Sequence, residues 1–320
     1  MIGYPGGDRP EWYGRPYVGL PKTTNENIIP MRTSVQRVAA IHDLSGFGRA
    51  SLTVVMPILS TMGIQVCPLP TAVLSTHSKF PDYYFVDLTD HLAGIIDHWK
   101  ALGLEFDAVY SGFLGSHRQV AIVEDFIAHF RAGARLVVVD PVLGDDGSLY
   151  GPLPREMVDE MRRLIRAADV ITPNLTEAAL LLDRPYNPEV TTAEIKEWIV
   201  DLAARGPRIV IVTSVPEMGP GHKTAVIAYD REDRRFWKVG CEYLPASYPG
   251  TGDAFASVVV GSLLQGDSLP MALDRAVQFI SLGVRATFGY AYDSHQGILL
   301  ERILGHLRAS VPLSSYELLD

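Results

Sequence analysis

The stretch YPGTGDAFAS, Tyr248–Ser257, sets Gly250, Thr251, Gly252 and Asp253 directly before an apolar helical run. One capping residue is enough to start a helix, so this run of small and polar residues calls for a second purpose. Glycine lets the backbone approach a ligand because no Cβ intrudes. The first amides of the following helix carry the positive end of its dipole. The stretch therefore reads as a loop opening into a helix N-terminus with room for a small anion. A carboxylate beside a bound phosphate is repulsive, yet Asp253 stands there. The conflict disappears if Asp253 handles the proton of an alcohol attacking that phosphate while the amides stabilise charge on the transferring group. A helix dipole alone accounts for Asp253 but not for the two glycines.

Outward from this stretch the chain is regular. Short apolar runs (RVAAIH, IQVCPL, FDAVYSG, RLVVVD, DVITP and RIVIVTS) alternate with amphipathic segments. Helices are expected over about 49–62, 87–102, 118–131, 154–167, 176–182, 192–204, 254–264, 271–288 and 298–309. Leu88, Leu92, Ile95, Ile96 and Trp99 form an apolar stripe at helical spacing. Such alternation implies an α/β fold, a three-layer α/β/α sandwich with a mostly parallel central sheet. TAVIAYD and RRFWKVGCEYL, separated by REDR, read as a small β-hairpin. Residues 1–34 are rich in Pro, Gly and aromatics, Trp12, Tyr13 and Tyr17 among them, and show no period. They are expected as an irregular extension before a single domain at 35–312 and a tail at 313–320.

The formal net charge of −9 argues against a general nucleic-acid binder, although small anions can still be held locally by amides and metals. Cys67 and Cys241 belong to no CxxC pair, so neither a zinc site nor a disulfide framework is expected. With no membrane-length apolar run and no signal-like N-terminus, the reading is a soluble cytoplasmic protein.

In parallel α/β sheets ligands gather at the carboxyl ends of strands, so each exit was read for polar residues that packing does not require. HDLSGFGRAS carries Asp43, Ser45, Gly46 and Gly48. It misses a dinucleotide fingerprint at Ser51 and lacks the acidic residue expected about 20 positions later. In DPVLGDDGSLYG, Asp140 ends a strand and Asp145 and Asp146 follow. A solvated Asp-Gly turn explains them, and so does a carboxylate aimed at Mg²⁺. TPNLTEAALL places Asn174 and Glu177 as a capping pair, or Glu177 as a carboxylate meeting a metal-bound water. PEMGPGHKTA fails as a Walker A loop because His222 precedes Lys223 and a strand follows. Thr213 and Ser214 remain candidate nucleotide contacts.

GTGDAFAS resembles the signature of the ribokinase-like superfamily of small-molecule kinases. DPVLGDDGSLY, ITPNLTEAALL and LSTHSKF narrow the resemblance to its vitamin B6 branch, the pyridoxal/pyridoxamine kinases. The resemblance runs from Arg37 to Ala309 and implies ATP-dependent phosphorylation of the 5′-hydroxymethyl group of a B6 vitamer. It makes Asp253 the base and the amides of Gly250, Thr251 and Gly252 the anion hole. It gives Asp145, Thr172 and Glu177 to Mg²⁺, and Asp140, Asn174, Thr213, Ser214, Thr251 and Gly252 to ATP. Asp43, His77, Ser78 and Phe113 would line the vitamer pocket beside Asp253. Relatives often use a monovalent cation such as K⁺ and are commonly homodimers, and the hairpin from Lys223 to Leu244 would border the ATP side. Phe113 replaces a frequent Tyr, and Asp43 a frequent Ser, so the preferred vitamer stays open. HDLSGFGRASLT is also similar to hydroxymethylpyrimidine kinases of thiamin synthesis, which keeps that substrate as an alternative. A non-catalytic nucleotide or vitamer sensor of the same fold is the other.

Overall fold

The computed structural model describes residues 35–151, 153–217, 223–241, 248–308 and 315–319, and all structural statements concern these. The extension at 1–34 and the end of the predicted hairpin, Leu244 included, lie outside them. The described residues belong to one compact unit, Val35–Asp320.

The first half of the chain runs β1 (Arg37–Phe47), α1 (Leu52–Thr61), β2 (Gln65–Thr76), β3 (Phe85–Asp87), α2 (Thr89–Ala101), β4 (Ala108–Ser111), α3 (His117–Phe130), β5 (Leu136–Val139), β6 (Gly144–Asp145) and β7 (Ser148–Leu149). It continues through α4 (Glu156–Leu164), β8 (Val170–Ile171), α5 (Leu175–Leu182), α6 (Thr192–Ala204), β9 (Ile209–Glu217), β10 (Lys223–Asp230), β11 (Arg235–Cys241), α7 (Thr251–Gln265), α8 (Leu269–Phe288), α9 (Leu300–Ile303) and β12 (Tyr316–Leu318). Ten strands make one sheet in the order β12-β11-β10-β9-β8-β5-β4-β1-β2-β3. Pairing is parallel from β9 across to β2 and antiparallel at both edges.

Both faces of the sheet are covered, which is why its strands read as near-continuous apolar runs. Ala39 and Ile41 of β1 face the layer of α2 to α6, whereas Val38 and Ala40 face α1, α7, α8 and α9. The first layer is centred on rings: Phe126 and Phe130 stand 4.4 Å apart, and Phe106 lies 5.1 Å from Phe130. β1 has β2 on one side and β4 on the other, so the strand order reverses there. A crevice is expected beyond the carboxyl ends of β1 and β4. At that point the β1–β2 register slips between His42 and Leu44, opposite Asp43. Irregularities of this kind re-aim a side chain.

The structure amends several boundaries. The first helix begins at Leu52, not Arg49, because Ser51 turns left-handed (φ 54°) and bridges back to Leu44. The second begins at Thr89, since residues 85–87 are consumed as the edge strand β3. The last expected helix breaks after Ile303 into a tight 3₁₀ turn containing Gly305. The β10–β11 hairpin is no appendage, because β10 pairs with β9 and extends the sheet. β12 lies beyond residue 312, in the stretch read as a tail, yet it joins β11, with Tyr316 packed edge-on to Trp237 at 5.7 Å. Strands this short leave no period in a sequence. Among the described residues no helix is long and apolar enough to cross a membrane.

Replacing Phe126 with Ala is expected to cost about 3–5 kcal/mol by urea denaturation, as for other buried aromatic truncations. A loss below about 1 kcal/mol would mean that the ring cluster is not a packed core.

Candidate active site

The turn before α7 is built by close approach. Gly250 caps the helix at φ 77°, and a Cβ on it would lie 2.0 Å from the Arg49 carbonyl oxygen. No non-glycine residue fits there without moving the β1–α1 loop. A Cβ on Gly252 would meet nothing within 4 Å, so that face of the turn is open. The first amides of α7 have no partner within the helix and sit at the positive end of its dipole.

Asp253 lies in that first turn. Its Oδ2 accepts a hydrogen bond from the Ser51 amide at 2.8 Å. Burial pushes its carboxyl up to about 7, against the Ser51 bond, which pulls it down, and with the Asp43 charge adding to the rise. Ser51 serves both acids, since its hydroxyl donates to Asp43 Oδ1 at 2.5 Å. Asp43 is itself buried, and burial raises its pKa. Ser51 is held in its left-handed conformation by its neighbour. Arg49 bonds both carboxylate oxygens of Glu301, the Tyr292 hydroxyl and the Gln296 carbonyl. The segment after α8 thereby braces the loop that holds Asp253.

Two more acids continue the row. Asp140, just past β5, is pushed up to about 8, first by burial and then by the Asp253 charge. Glu177 in α5 is raised by burial and by Asp140. Its two oxygens accept from the Leu143 amide (3.0 Å) and the Asn174 amide (2.8 Å). Asn174 accepts from the Glu177 amide and donates to the Gly144 carbonyl, completing a capping box that also fastens the β6–β7 hairpin. Asp145, at the end of β6, is only partly buried. Its carboxyl is raised by burial and by Asp146. Thr172 is buried, and its hydroxyl lies close enough to Asp140 to pull that carboxyl down against the rise.

A cleft of about 510 Å³ opens beside the α7 turn, and Asp43, Asp253, Asp140 and Glu177 are not among the residues lining it. Asp145, Asn174, Thr213, Ser214, Gly250, Thr251 and Gly252 line it together. Val226, Phe255, Val277, Ile280 and Cys241 supply apolar wall, and burial pushes the Cys241 thiol up to about 11, far from a nucleophile's range. The expected vitamer residues do not line that cleft. His77 is near enough to feel the Asp43 charge, and its ring packs where a Cβ on Gly48 would intrude at 2.7 Å. Ser78 is exposed, and Phe113 rests against the α2–α6 core. No group of three or more His, Cys, Asp or Glu side chains among the described residues is already gathered around a metal position.

Sequence reading missed Ser51, Arg49, Lys79, Tyr150 and His295. Tyr150 and Lys79 lie inside the quoted motifs DPVLGDDGSLY and LSTHSKF. Ser51 contributes mainly through its amide, which no residue type advertises.

Residues 95–297, more than half of the chain, match the family model described as phosphomethylpyrimidine kinase. Pyridoxal kinase PdxY of Pseudomonas aeruginosa is 30% identical over 264 residues, covering 77% of this chain and 88% of that protein. A crystal structure of a candidate phosphomethylpyrimidine kinase from Bacteroides thetaiotaomicron, solved with pyridoxal, is 60% identical. It covers 89% of this chain and 100% of that one, with a TM-score of 0.87. Pyridoxal kinase from Lactobacillus plantarum superimposes with a TM-score of 0.79 at 33% identity, covering 86% of this chain and 97% of that one.

The two glycines of the turn should respond differently to alanine. Gly250→Ala should lower the melting temperature and weaken ADP binding together, because the new methyl collides with backbone. Gly252→Ala should keep stability within about 0.5 kcal/mol, as an uncrowded substitution does, while still weakening ADP binding. Equal melting losses in both variants would contradict the cradle geometry.

Proposed function

Because this chain belongs to the pyridoxal kinase family, within reach of the phosphomethylpyrimidine kinase model, we propose that it transfers the γ-phosphoryl group of ATP to the 5′-hydroxymethyl group of a B6 vitamer. The observation that carries the reading is Asp253, a half-buried carboxylate oriented by the Ser51 amide beside the open face of the Gly250–Gly252 turn. The vitamer alcohol and ATP yield the phosphate ester, ADP and a proton. ATP lies in the cleft with its phosphates toward the α7 N-terminus and its base toward the apolar wall of Val226, Phe255 and Val277. The vitamer occupies the crevice beyond β1 and β4, among Asp43, His77, Ser78 and Phe113. Asp253 takes the alcohol proton, and the turn amides hold the charge that builds on the phosphoryl oxygens. Catalysis is mostly positioning and electrostatics, with no covalent work for the protein.

The buried acids fit a divalent cation. Asp140, Glu177 and Asp253 are all raised toward neutrality, a surplus of carboxylate that a cation would offset. Asp145 would hold Mg²⁺, with Thr172 close by. Glu177, whose oxygens already hold amides, would act on the water shell of the ion. Such an ion supplies neutralisation of phosphate charge when bound. The same surplus of carboxylate suits a monovalent cation such as K⁺. A cytoplasmic setting fits the two unpaired cysteines. Phe85 and Val86, exposed on the edge strand β3, with Tyr84 just before it and Phe47 at the end of β1, fit a second copy of the chain, which sedimentation would weigh directly.

One coupled assay of ADP release across pyridoxal, pyridoxamine, pyridoxine and hydroxymethylpyrimidine tests the reading. A B6 vitamer is the expected best acceptor. Preference for the pyrimidine would move the chain to thiamin synthesis, and binding of ligands without any turnover would make it a sensor. Asp253→Asn should lower turnover by about 10²–10⁴. Wild-type activity should fall as pH drops through about 7, where Asp253 takes up its proton and stops accepting another, and Asp253→Asn should lose that limb. The same shift has a stability sign. A carboxyl raised from 3.8 to about 7 favours the folded state fully below about pH 4, and this advantage is lost as pH rises through 7. At pH 8 Asp253→Asn should therefore melt higher than wild type, and a lower melting point there would contradict the burial of this charge.

A further inference from the structure

A kinase cleft must accept a polyanion, yet this one is lined by Asp145 and by Gly252, the residue before Asp253, whose charge in turn raises the Asp140 carboxyl. Counter-charge from side chains is scarce. Among the described residues, Lys79 is the one Lys or Arg lining the cleft. It lies just past β2, on the rim opposite the β6–β7 hairpin. Its ammonium stands 4.9 Å from the centre of the Tyr150 ring, just beyond β7, so it reaches from one rim toward the other. A cation over a half-buried ring is held by about 0.5–2 kcal/mol, enough to aim it and not enough to trap it. The Lys79 charge also acts on Asp145, holding that carboxyl down against its burial. The backbone beneath is fixed, because the Lys79 amide donates to His77 Nδ1 at 3.2 Å and His77 Nε2 meets the His295 carbonyl at 2.6 Å. The stem is therefore anchored and the head is exposed beside the phosphate end of the cleft.

We propose that Lys79 is a further catalytic residue, a cation that closes on the terminal phosphate of ATP and stabilises the charge on the transferring phosphoryl group. This rests on the phosphotransferase reading of the same cleft. In the step, the vitamer alcohol oxygen bonds to the γ-phosphorus and the bond from phosphorus to the β–γ bridging oxygen breaks. The electron pair leaves on ADP and the alcohol proton passes to Asp253. Lys79 gives and takes no atom. Its work is electrostatic, of the kind a phosphate-clamping Lys performs elsewhere as a point charge. Packing gives no competing reason for a lysine here, since the side chain is exposed and fills no core space.

The test uses the full chain with Lys79→Ala, Lys79→Gln and Lys79→Arg. With pyridoxal and saturating ATP, Ala and Gln are expected to lower kcat about 10²-fold, the scale for losing one charge-stabilising donor. Melting temperature and the KM for pyridoxal should stay near wild type. Arg keeps the charge and should recover about a tenth or more of the lost rate, short of full activity because its planar fork differs from an ammonium. Calorimetry separates the phosphates. A non-hydrolysable ATP analogue should bind more weakly to Lys79→Ala, while ADP, lacking the third phosphate, should bind as it does to wild type. Wild-type kcat in both the Ala and Gln variants, or an equal loss of ADP and analogue affinity, overturns the proposal. A wild-type chain that releases no ADP with any acceptor overturns the phosphotransferase reading instead, and the two-nucleotide comparison then still decides whether Lys79 meets a third phosphate.

Discussion

Three buried carboxylates, Asp43, Asp140 and Glu177, and the half-buried Asp253 lie across the strand exits, and neighbouring members act on one another. They cannot all be ionised cheaply in a poorly hydrated space, since burial and like charge both favour the neutral acid. The rest of the site follows from how this conflict is handled. Glu177 is kept in place by two backbone amides. Asp253 receives one amide, from Ser51, and its carboxyl stands at about 7. Side-chain counter-charge is scarce there, and among the described residues Lys79 is the one Lys or Arg lining the cleft.

The second constraint is steric. The Arg49 carbonyl oxygen lies where side chains on two separate glycines would stand: 2.0 Å from a Cβ on Gly250 and 2.9 Å from one on Gly297. Three segments distant in sequence meet at that oxygen, and two of them can do so only as glycine. Arg49 then spends its guanidinium on the same C-terminal segment. The loop after β1 is in effect clamped from both sides. That rigidity keeps Ser51 in a conformation non-glycine residues seldom adopt, and strain of this sort persists where surrounding structure over-determines it.

Much of the fold was legible because its signals are long. The six parallel-type strands named from apolar runs all lie in the sheet, since burial on both faces demands continuous Val, Ile and Ala. The amphipathic stripe through Leu92 and Ile96 forms a helix as its spacing requires. What escaped was short or set by partners. The β6–β7 hairpin spans residues 144–149, too few for any period, and β12 becomes a strand only because β11 offers an unpaired edge. Asn174 and Glu177 form the capping box that their spacing offered, and that box fastens the acid next to Asp140.

The amino-acid sequence by itself determined the chemistry on offer: glycines and an aspartate before α7, acids after β5 and β6, and polar residues at each strand exit, because residue type and local period are carried along the chain. Only the tertiary structure decided which of these meet. Ser51 and Asp253, separated by 202 positions, touch because a parallel sheet brings the exits of its strands to one edge. The same edge raises Asp253 toward 7, a property of its surroundings and not of aspartate. Lys79 likewise becomes a residue of the cleft only through where the turn after β2 lands, opposite Tyr150, a placement set by topology that no spacing along the chain encodes.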